Sequence, residues 1–371
     1  MAATSRTISY DAILTLCLDR VRKSVRDNIF LSSAMLAALY GAYGKKKKQG
    51  KGLRLQDGGH TIRTPLMYEA NSTAKSYSGY DTLDVTPQDG ITAAFYTWRQ
   101  FYASISISRL QERQNNGMSK VVDLLDQKVV QAEKSLMQKL GLDLMGRTVA
   151  SGVWSAGNST KDLDPLPLFF PKNPGSAVDI GEIDPSVETW WQPYVVDATA
   201  VYGSKDAAAD YGYLVDDWGN LKRAMRHGHN AASWGGAGFP DLYVMDQNTY
   251  ESYESSMDSQ VRYTEPSNSP VSIGFESVKF KAADVIWDHF MPDIETGTAY
   301  TTAAAYGTLY GINTDTMEIV VDSGTNFINT PFVRPENQDA KTAQILTMMN
   351  LTTSERRANW MMYGIGLDIL A

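Results

Sequence analysis

The sequence predicts an α+β fold on three observations. Residues 60–108 form two extended runs rich in Tyr, Thr and Ser around the turn-forming tetrad Pro87, Gln88, Asp89 and Gly90. Residues 118–140 carry an apolar stripe at helical spacing. From residue 240 onward, short apolar runs of strand type follow one another between turn-forming residues.

In chain order, a first helix starts with Ser9 as N-cap and sets Tyr10, Ile13, Leu14, Cys17, Val21 and Val25 at three- and four-residue spacing. A second, short helix over residues 32–40 runs into Gly41 and Gly44. Lys45, Lys46, Lys47 and Lys48, with Gly50 and Gly52, then read as an exposed, flexible basic linker. In the hairpin, the second run alternates Phe95, Thr97, Arg99, Phe101, Ala103, Ile105 and Ile107 with Tyr96, Trp98, Gln100, Tyr102, Ser104, Ser106 and Ser108. As one strand it would reach roughly 45 Å at about 3.3 Å per residue. Ordinary strands have about five or six residues, so this one is expected to project past its own core. Asn115, Asn116 and Gly117 end it. The helix over 118–140 places Val121, Val122, Leu125, Val129, Ala132, Leu136 and Leu140 on one stripe, and Gly141 reads as its C-terminal stop. Its length would be roughly 35 Å.

After Gly146 the prolines at 165, 167, 171, 174 and 185 mark irregular connections, and a domain boundary is expected near residue 150. The second region reads as a helical stretch over 185–202, a Gly-rich loop at 234–238, a strand at 240–245 and a short helix at 247–257. Further strands follow at 278–281, 283–288, 306–312, 316–322 and 327–334. There is no internal repeat.

Composition narrows the function classes. With 371 residues and 43% apolar content, the chain can bury a sizeable core, as one large domain or two to three modest ones. No apolar run approaches the roughly 20 residues that span a bilayer. Cys17, the single cysteine, sits between Leu16 and Leu18 and reads as a small buried apolar side chain in a protein folding in a reducing, cytoplasmic compartment. Residues 1–56 hold 11 Lys and Arg against 3 Asp, a balance of +8, which leaves 23 basic against 39 acidic residues in the remainder. A body this acidic argues against a surface built to grip DNA phosphates. The basic N-terminal part can dock on nucleic acid or on an acidic neighbour of the same chain.

No catalytic constellation emerges, and no cofactor or metal is expected. His227 and His229 would need Asp216 or Asp217 to complete a metal site, and an exposed polar loop is the simpler reading. The Gly-rich loop at 234–238 has neither the Lys-Ser/Thr ending of a phosphate loop nor the spacing of a dinucleotide fingerprint. Asp241 and Asp246 could imitate a hydrolase pair, but nothing in their spacing singles them out. There is no Gly-x-Ser-x-Gly elbow.

The order of parts resembles the major capsid proteins of tailed bacteriophages, with their Hong Kong 97-type shell fold. The resemblance rests on the stretches Thr61 to Glu69, Ser78 to Leu83 and Thr97 to Gln100, on Pro240 to Tyr243 and Tyr250 to Tyr253, and on Phe275 to Ala282, Val285 to Asp288 and Gly307 to Glu318. It implies an N-terminal arm at 1–60, an extended β-hairpin loop with a peripheral-domain strand at 61–112, a spine helix at 113–150, an axial domain at 151–318 and a return to the peripheral domain at 319–371. It further implies hexamers and pentamers closing into an icosahedral phage head around double-stranded DNA, and no enzyme activity. Subunit contacts would come from Pro87, Gln88, Asp89 and Gly90 and from Lys45, Lys46, Lys47 and Lys48, where the lysines touch either DNA or a neighbouring subunit. Implied partners are further copies of the chain, a separate scaffolding protein, a portal, a decoration protein and weakly, non-specifically held DNA, with no membrane. The implied location is the virion, assembled in the host bacterial cytoplasm. An encapsulin-like nanocompartment would have the same fold, and an aromatic-rich carbohydrate-binding protein or glycosidase is the reading from a different class.

Overall fold

The computed structural model describes residues 32–40, 52–114, 124–146, 161–171, 173–175, 179–197, 218–233, 238–255, 278–291, 306–336 and 338–366. The expected first helix, the lysine linker, the break at 115–117, the boundary near 150 and most of the Gly-rich loop lie outside these residues. Two compact units emerge. The larger takes its described residues from Leu31–Phe101, Met137–Phe327 and Thr347–Ala371, and the smaller from Tyr102–Leu136 and Ile328–Leu346.

The larger unit is built on a six-stranded mixed sheet. Its strands are β5 (Tyr194–Asp197), β6 (Leu242–Met245), β7 (Val278–Phe280), β8 (Ala283–Trp287), β9 (Tyr306–Ile312) and β13 (Trp360–Gly366), in the order β5-β13-β9-β6-β8-β7. All four residues of β6 are buried, as expected for a strand covered on both faces. After the one-turn helix α4 (Leu166–Phe169) in chain order comes α5 (Trp218–Ala232), which packs against β13 and β5. A Cβ at Gly228 would stand 2.5 Å from the Trp360 indole, so the approach depends on glycine. Met225, Tyr243, Met245, Tyr253, Leu309 and Trp360 belong to the buried core there. Asp246 ends β6 and accepts from the Thr249 N–H (3.0 Å) and hydroxyl (2.7 Å), capping α6 (Gln247–Ser255), and also from the Thr308 N–H (2.9 Å).

Around this sheet the short helix α1 (Ala34–Tyr40) forms where the sequence places one. The Ser33 hydroxyl caps it by accepting from the Leu36 N–H at 3.1 Å, while buried Asp288 accepts from both the Ser33 hydroxyl (2.6 Å) and the Met35 N–H (2.9 Å). β1 (Leu53–Gln56) runs parallel to β10 (Met317–Asp322), which pairs antiparallel with the C-terminal part of β12 (Ala340–Thr353).

In the smaller unit the N-terminal part of β12 pairs with β11 (Ile328–Asn329). Strand β4 (Arg99–Ser108), whose first residues belong to the larger unit, also joins β12. As its sequence alternation predicts, β4 buries Phe101, Ile105 and Ile107 and exposes Gln100, Tyr102, Ser104 and Ser106. Helix α2 (Arg109–Gln114) follows directly, with Lys341 on Glu112 at 2.6 Å. The Lys128 ammonium, on the long helix α3 (Leu124–Leu144), donates to the Ser106 carbonyl at 2.8 Å.

Several expectations are corrected. Helix α3 does not stop at Gly141 but runs on to Leu144, and the chain turns out at Gly146 with φ 70°. Gly141 is a packing residue: a Cβ there would come within 2.9 Å of the Phe290 ring and of Ser33 Cβ. The helical stretch expected at 185–202 is, over its described part, a one-turn 3-10 helix (Thr189–Trp191) followed by β5. Pro193 disfavours helix at the preceding residue, and Val195 and Val196 suit a strand. The strand expected at 327–334 shrinks to β11 and one isolated bridge, Val333 to Thr342, because Pro331 and Pro335 cannot donate to a ladder and Phe327 sits at φ 50°. Helix α5 and strands β12 and β13 were not anticipated.

Candidate assembly hairpin

Strands β2 (Ile62–Met67) and β3 (Ile91–Tyr96) pair antiparallel in register from Ile62 opposite Tyr96 to Met67 opposite Ile91. Along β2 every second residue, Ile62, Thr64 and Leu66, is buried. The single long strand expected from Phe95 to Ser108 is in fact two. The chain breaks at Thr97 and Trp98, so β3 pairs with β2 while β4 joins β12. A half-buried polar knot marks the break. Asn350 donates to the Thr97 carbonyl (2.8 Å) and to Asp164 (2.7 Å), and Arg99 bonds the same aspartate at 2.8 Å. The Tyr96 hydroxyl donates to the Thr353 carbonyl at 2.9 Å, and burial pushes that phenol far above its ordinary range.

Past Met67 the ladder ends, yet the two limbs stay together through nested contacts. The Tyr68 N–H donates to Gly90 O (3.0 Å) and its hydroxyl to Asp89 O (2.8 Å). Further out, Ser72 donates to Gln88 at 2.9 Å and Lys75 faces Asp84 at 3.7 Å. The tip lies at Ser78, Gly79, Tyr80 and Asp81: the Asp81 N–H donates to Ser78 O (2.8 Å), and the Asp81 carboxylate accepts from the Ser78 N–H (2.7 Å). The tetrad Pro87, Gln88, Asp89 and Gly90 is therefore not the turn but part of the returning limb. Gly90 lies so close to the opposite limb that a Cβ would stand 2.8 Å from Glu69 O.

This loop is uncovered. Val85 is 89% exposed, Tyr77 70%, Leu83 61% and Tyr80 wholly so, with Met67 and Ile91 exposed at its root. Over residues 68–90 the charges are Glu69, Asp81, Asp84 and Asp89 against Lys75. Apolar groups gathered on an open ribbon are a liability in an isolated subunit and mark a surface that another molecule covers.

Residues 179–192 buttress the root. Ile180 and Ile183 exchange both backbone hydrogen bonds around Gly181 (φ 65°) and Glu182 (φ 62°), a two-residue turn with both central residues left-handed. Gly181 O accepts from the Phe95 N–H at 3.0 Å. Buried Trp191 donates Nε1 to Ile180 O at 2.9 Å, and Trp190 stacks on Tyr68 with centroids 5.8 Å apart. Sequence reasoning missed this buttress, although Ile-Gly-Glu-Ile is a readable short-turn signal.

Of the other candidates, His229, Asp241 and Asp246 are engaged in hydrogen bonds within the chain. His227 and His229 lie on α5 and not in a polar loop. His229 is buried, shares a 2.9 Å hydrogen bond with the Tyr243 hydroxyl, and is held below the ordinary imidazole range by burial and by Lys281. Asp241 accepts from the Thr314 N–H and hydroxyl, and Asp246 caps α6 with burial pushing its carboxyl up to about 6. Asp216, Asp217, Cys17 and Lys45 to Lys48 lie outside the described residues. Among the described residues no three His, Cys, Asp or Glu side chains gather as a metal site, and no helix is long and apolar enough to cross a membrane.

A mixed α+β chain carrying an uncovered ribbon is thus the class that fold and site define. No protein-family model and no curated protein matches the sequence. Solved structures do. The capsid of a native GTA particle matches with a TM-score of 0.54 at 12% identity, covering 98% of this chain and 99% of that one. The Cyanophage A-1(L) capsid gives 0.55 at 11%, covering 94% and 97%. The capsid of Myoviridae Phage XM1 gives 0.51 at 11%, covering 97% and 100%. The chain has the α+β fold of these capsid proteins along nearly its whole length.

Proposed function

We propose that the chain is a major capsid protein that assembles into hexamers and pentamers of an icosahedral phage head enclosing double-stranded DNA. The observation that carries this reading is the hairpin, whose loop over 68–90 exposes Tyr77, Tyr80, Leu83 and Val85 to solvent in the single chain. Laid onto the next copy of the chain, the ribbon would bury these groups, and head-to-tail contacts of this kind close into rings. The fold shared with three capsid chains supports the same reading. In this proposal residues 1–60 form the N-terminal arm, 61–112 the extended loop and its strand, 113–150 the spine helix, 151–318 the axial domain and 319–371 the return to the peripheral domain of a Hong Kong 97-type subunit.

Pro87, Gln88, Asp89 and Gly90 then contribute to a subunit contact from the returning limb of the loop. Lys45 to Lys48 contact a neighbouring subunit or, weakly and without sequence preference, the packaged DNA. A separate scaffolding protein, a portal and a decoration protein complete the particle, which is assembled in the host cytoplasm. The role is structural and not enzymatic. Expression of the full chain, size-exclusion chromatography and negative-stain microscopy test the reading. Rings or closed shells are expected, with or without added scaffold, whereas a stable 41 kDa monomer at every concentration and with scaffold present overturns it.

A further inference from the structure

We propose that residues 179–192 are a clamp fixing the direction in which the hairpin leaves its root, and that Trp190 and Gly181 thereby determine the curvature of the assembled shell. The inference rests on the shell-building reading above and adds the device that controls its geometry.

A two-stranded ribbon on its own is marginally stable and twists strongly, so its free end wanders unless the root is held at more than one point. Here both limbs are gripped. On the β3 limb the Phe95 N–H donates to Gly181 O at 3.0 Å. The grip is close: a Cβ at Gly181 would stand 2.8 Å from Ala94 Cβ and 3.2 Å from the Tyr96 ring, and its φ of 65° suits glycine. On the β2 limb Tyr68 is the first residue past the ladder, and its ring stacks on Trp190 at an interplanar angle of 29°.

The clamp is itself braced. Trp191, adjacent to Trp190 and fully buried, donates to Ile180 O at 2.9 Å, the back of the turn that presents Gly181. Trp190 Nε1 donates to Glu188 Oε2 at 2.5 Å, and the Gln192 amide donates to Pro185 O at 2.7 Å. Glu182 holds a left-handed conformation that only a well-determined surrounding maintains in a non-glycine residue. One grip would allow the ribbon to pivot, and two grips on opposite limbs remove that freedom. In a closed shell the angle at which each hairpin reaches its neighbour sets the angle between neighbours, so loosening the clamp broadens the range of curvatures without touching the contact surface.

The test compares Trp190→Ala and Trp190→Phe with the wild type on two readouts. Hydrogen exchange of the unassembled subunit is followed over 67–96, with β6 as internal control, and the diameters of assembled particles are measured by electron microscopy. Trp190→Ala is expected to speed exchange over 67–96 by about three- to tenfold, the loss of one aromatic pair, with β6 unchanged. Its particles should spread in diameter or fail to close, and Trp190→Phe should restore both readouts. Unchanged exchange in Trp190→Ala overturns the clamp, and faster exchange with wild-type particle diameters overturns its control of curvature. A wild type that forms no particles even with scaffold present contradicts the shell reading itself, a failure visible before any variant is compared.

Discussion

The six-stranded sheet and the hairpin use the same residue types to opposite ends. In the sheet Tyr243, Tyr310 and Trp360 are fully buried, and Tyr253 on α6 beside it nearly so. In the hairpin loop Tyr77 and Tyr80 stand in solvent with Leu83 and Val85. Both regions are rich in aromatic and β-branched side chains, which favour half-buried pleated surfaces. The sheet meets that preference within the chain, and the hairpin leaves it unmet. Aromatic content alone therefore does not tell a core strand from an interface strand. What separates them is whether other elements of the same chain cover the ribbon.

The contrast is sharpest under substitution. Trp360→Ala should cost about 3–5 kcal/mol of subunit stability, because it empties a fully buried site beside Gly228; chemical denaturation would read this as a large fall in midpoint. Asn350→Ala should cost about 1–3 kcal/mol by taking its amide donor from the Thr97 carbonyl and from Asp164 Oδ2, where the hairpin root meets β4. Both lie on the covered side of the comparison.

A smaller effect comes from pH. Burial pushes Asp143 and Asp246 up to about 6; for Asp143 this outweighs the Lys139 ammonium 2.5 Å away. Between about pH 4 and 6 the folded chain holds protons on these groups that the unfolded chain has released, so their contribution to stability falls as pH rises through that window. Buried His229, held low, contributes the opposite slope in wild type and variant alike, so the comparison isolates the carboxyl: thermal melts should show a Tm that falls more, or rises less, from pH 5 to pH 7 in the wild type than in Asp143→Asn. The smallest effect on stability should come from the hairpin. Tyr80→Ser with Val85→Ser should change it by no more than about 0.5 kcal/mol, while particle yield collapses in a sedimentation assay.

Much of the two larger sheets was legible in the sequence. β6, β8, β9 and β10 are short apolar runs bounded by turn residues, and α6 follows an aspartate placed as its cap. Helix α5 was hidden because its buried face includes Gly228 and His229, whose packing against Trp360, Tyr243 and Phe280 is decided by distant segments. β12 carries an alternating buried set, Ala343, Ile345, Thr347 and Met349, but Thr347 and the Met348-Met349 pair blur the period. The hairpin was read correctly as a pair of limbs, and its turn was misplaced. Pro87 to Gly90 is the stronger local turn signal, yet the cross-limb bonds of Tyr68 to Asp89 and Gly90 put that tetrad beside Glu69 and leave Ser78 to Asp81 to reverse the chain. Local chemistry proposes a turn, and the pairing of remote residues decides where it falls.

The central claim is that the hairpin loop is uncovered in the single chain and covered by a neighbouring copy in the particle. In a Cys17→Ser background, Tyr80→Cys reports this directly through its rate of maleimide labelling before and after assembly. Fast labelling of the soluble subunit and at least about a tenfold slowing in closed particles is the predicted result. Equal rates in both states, from particles shown to be intact, would contradict it.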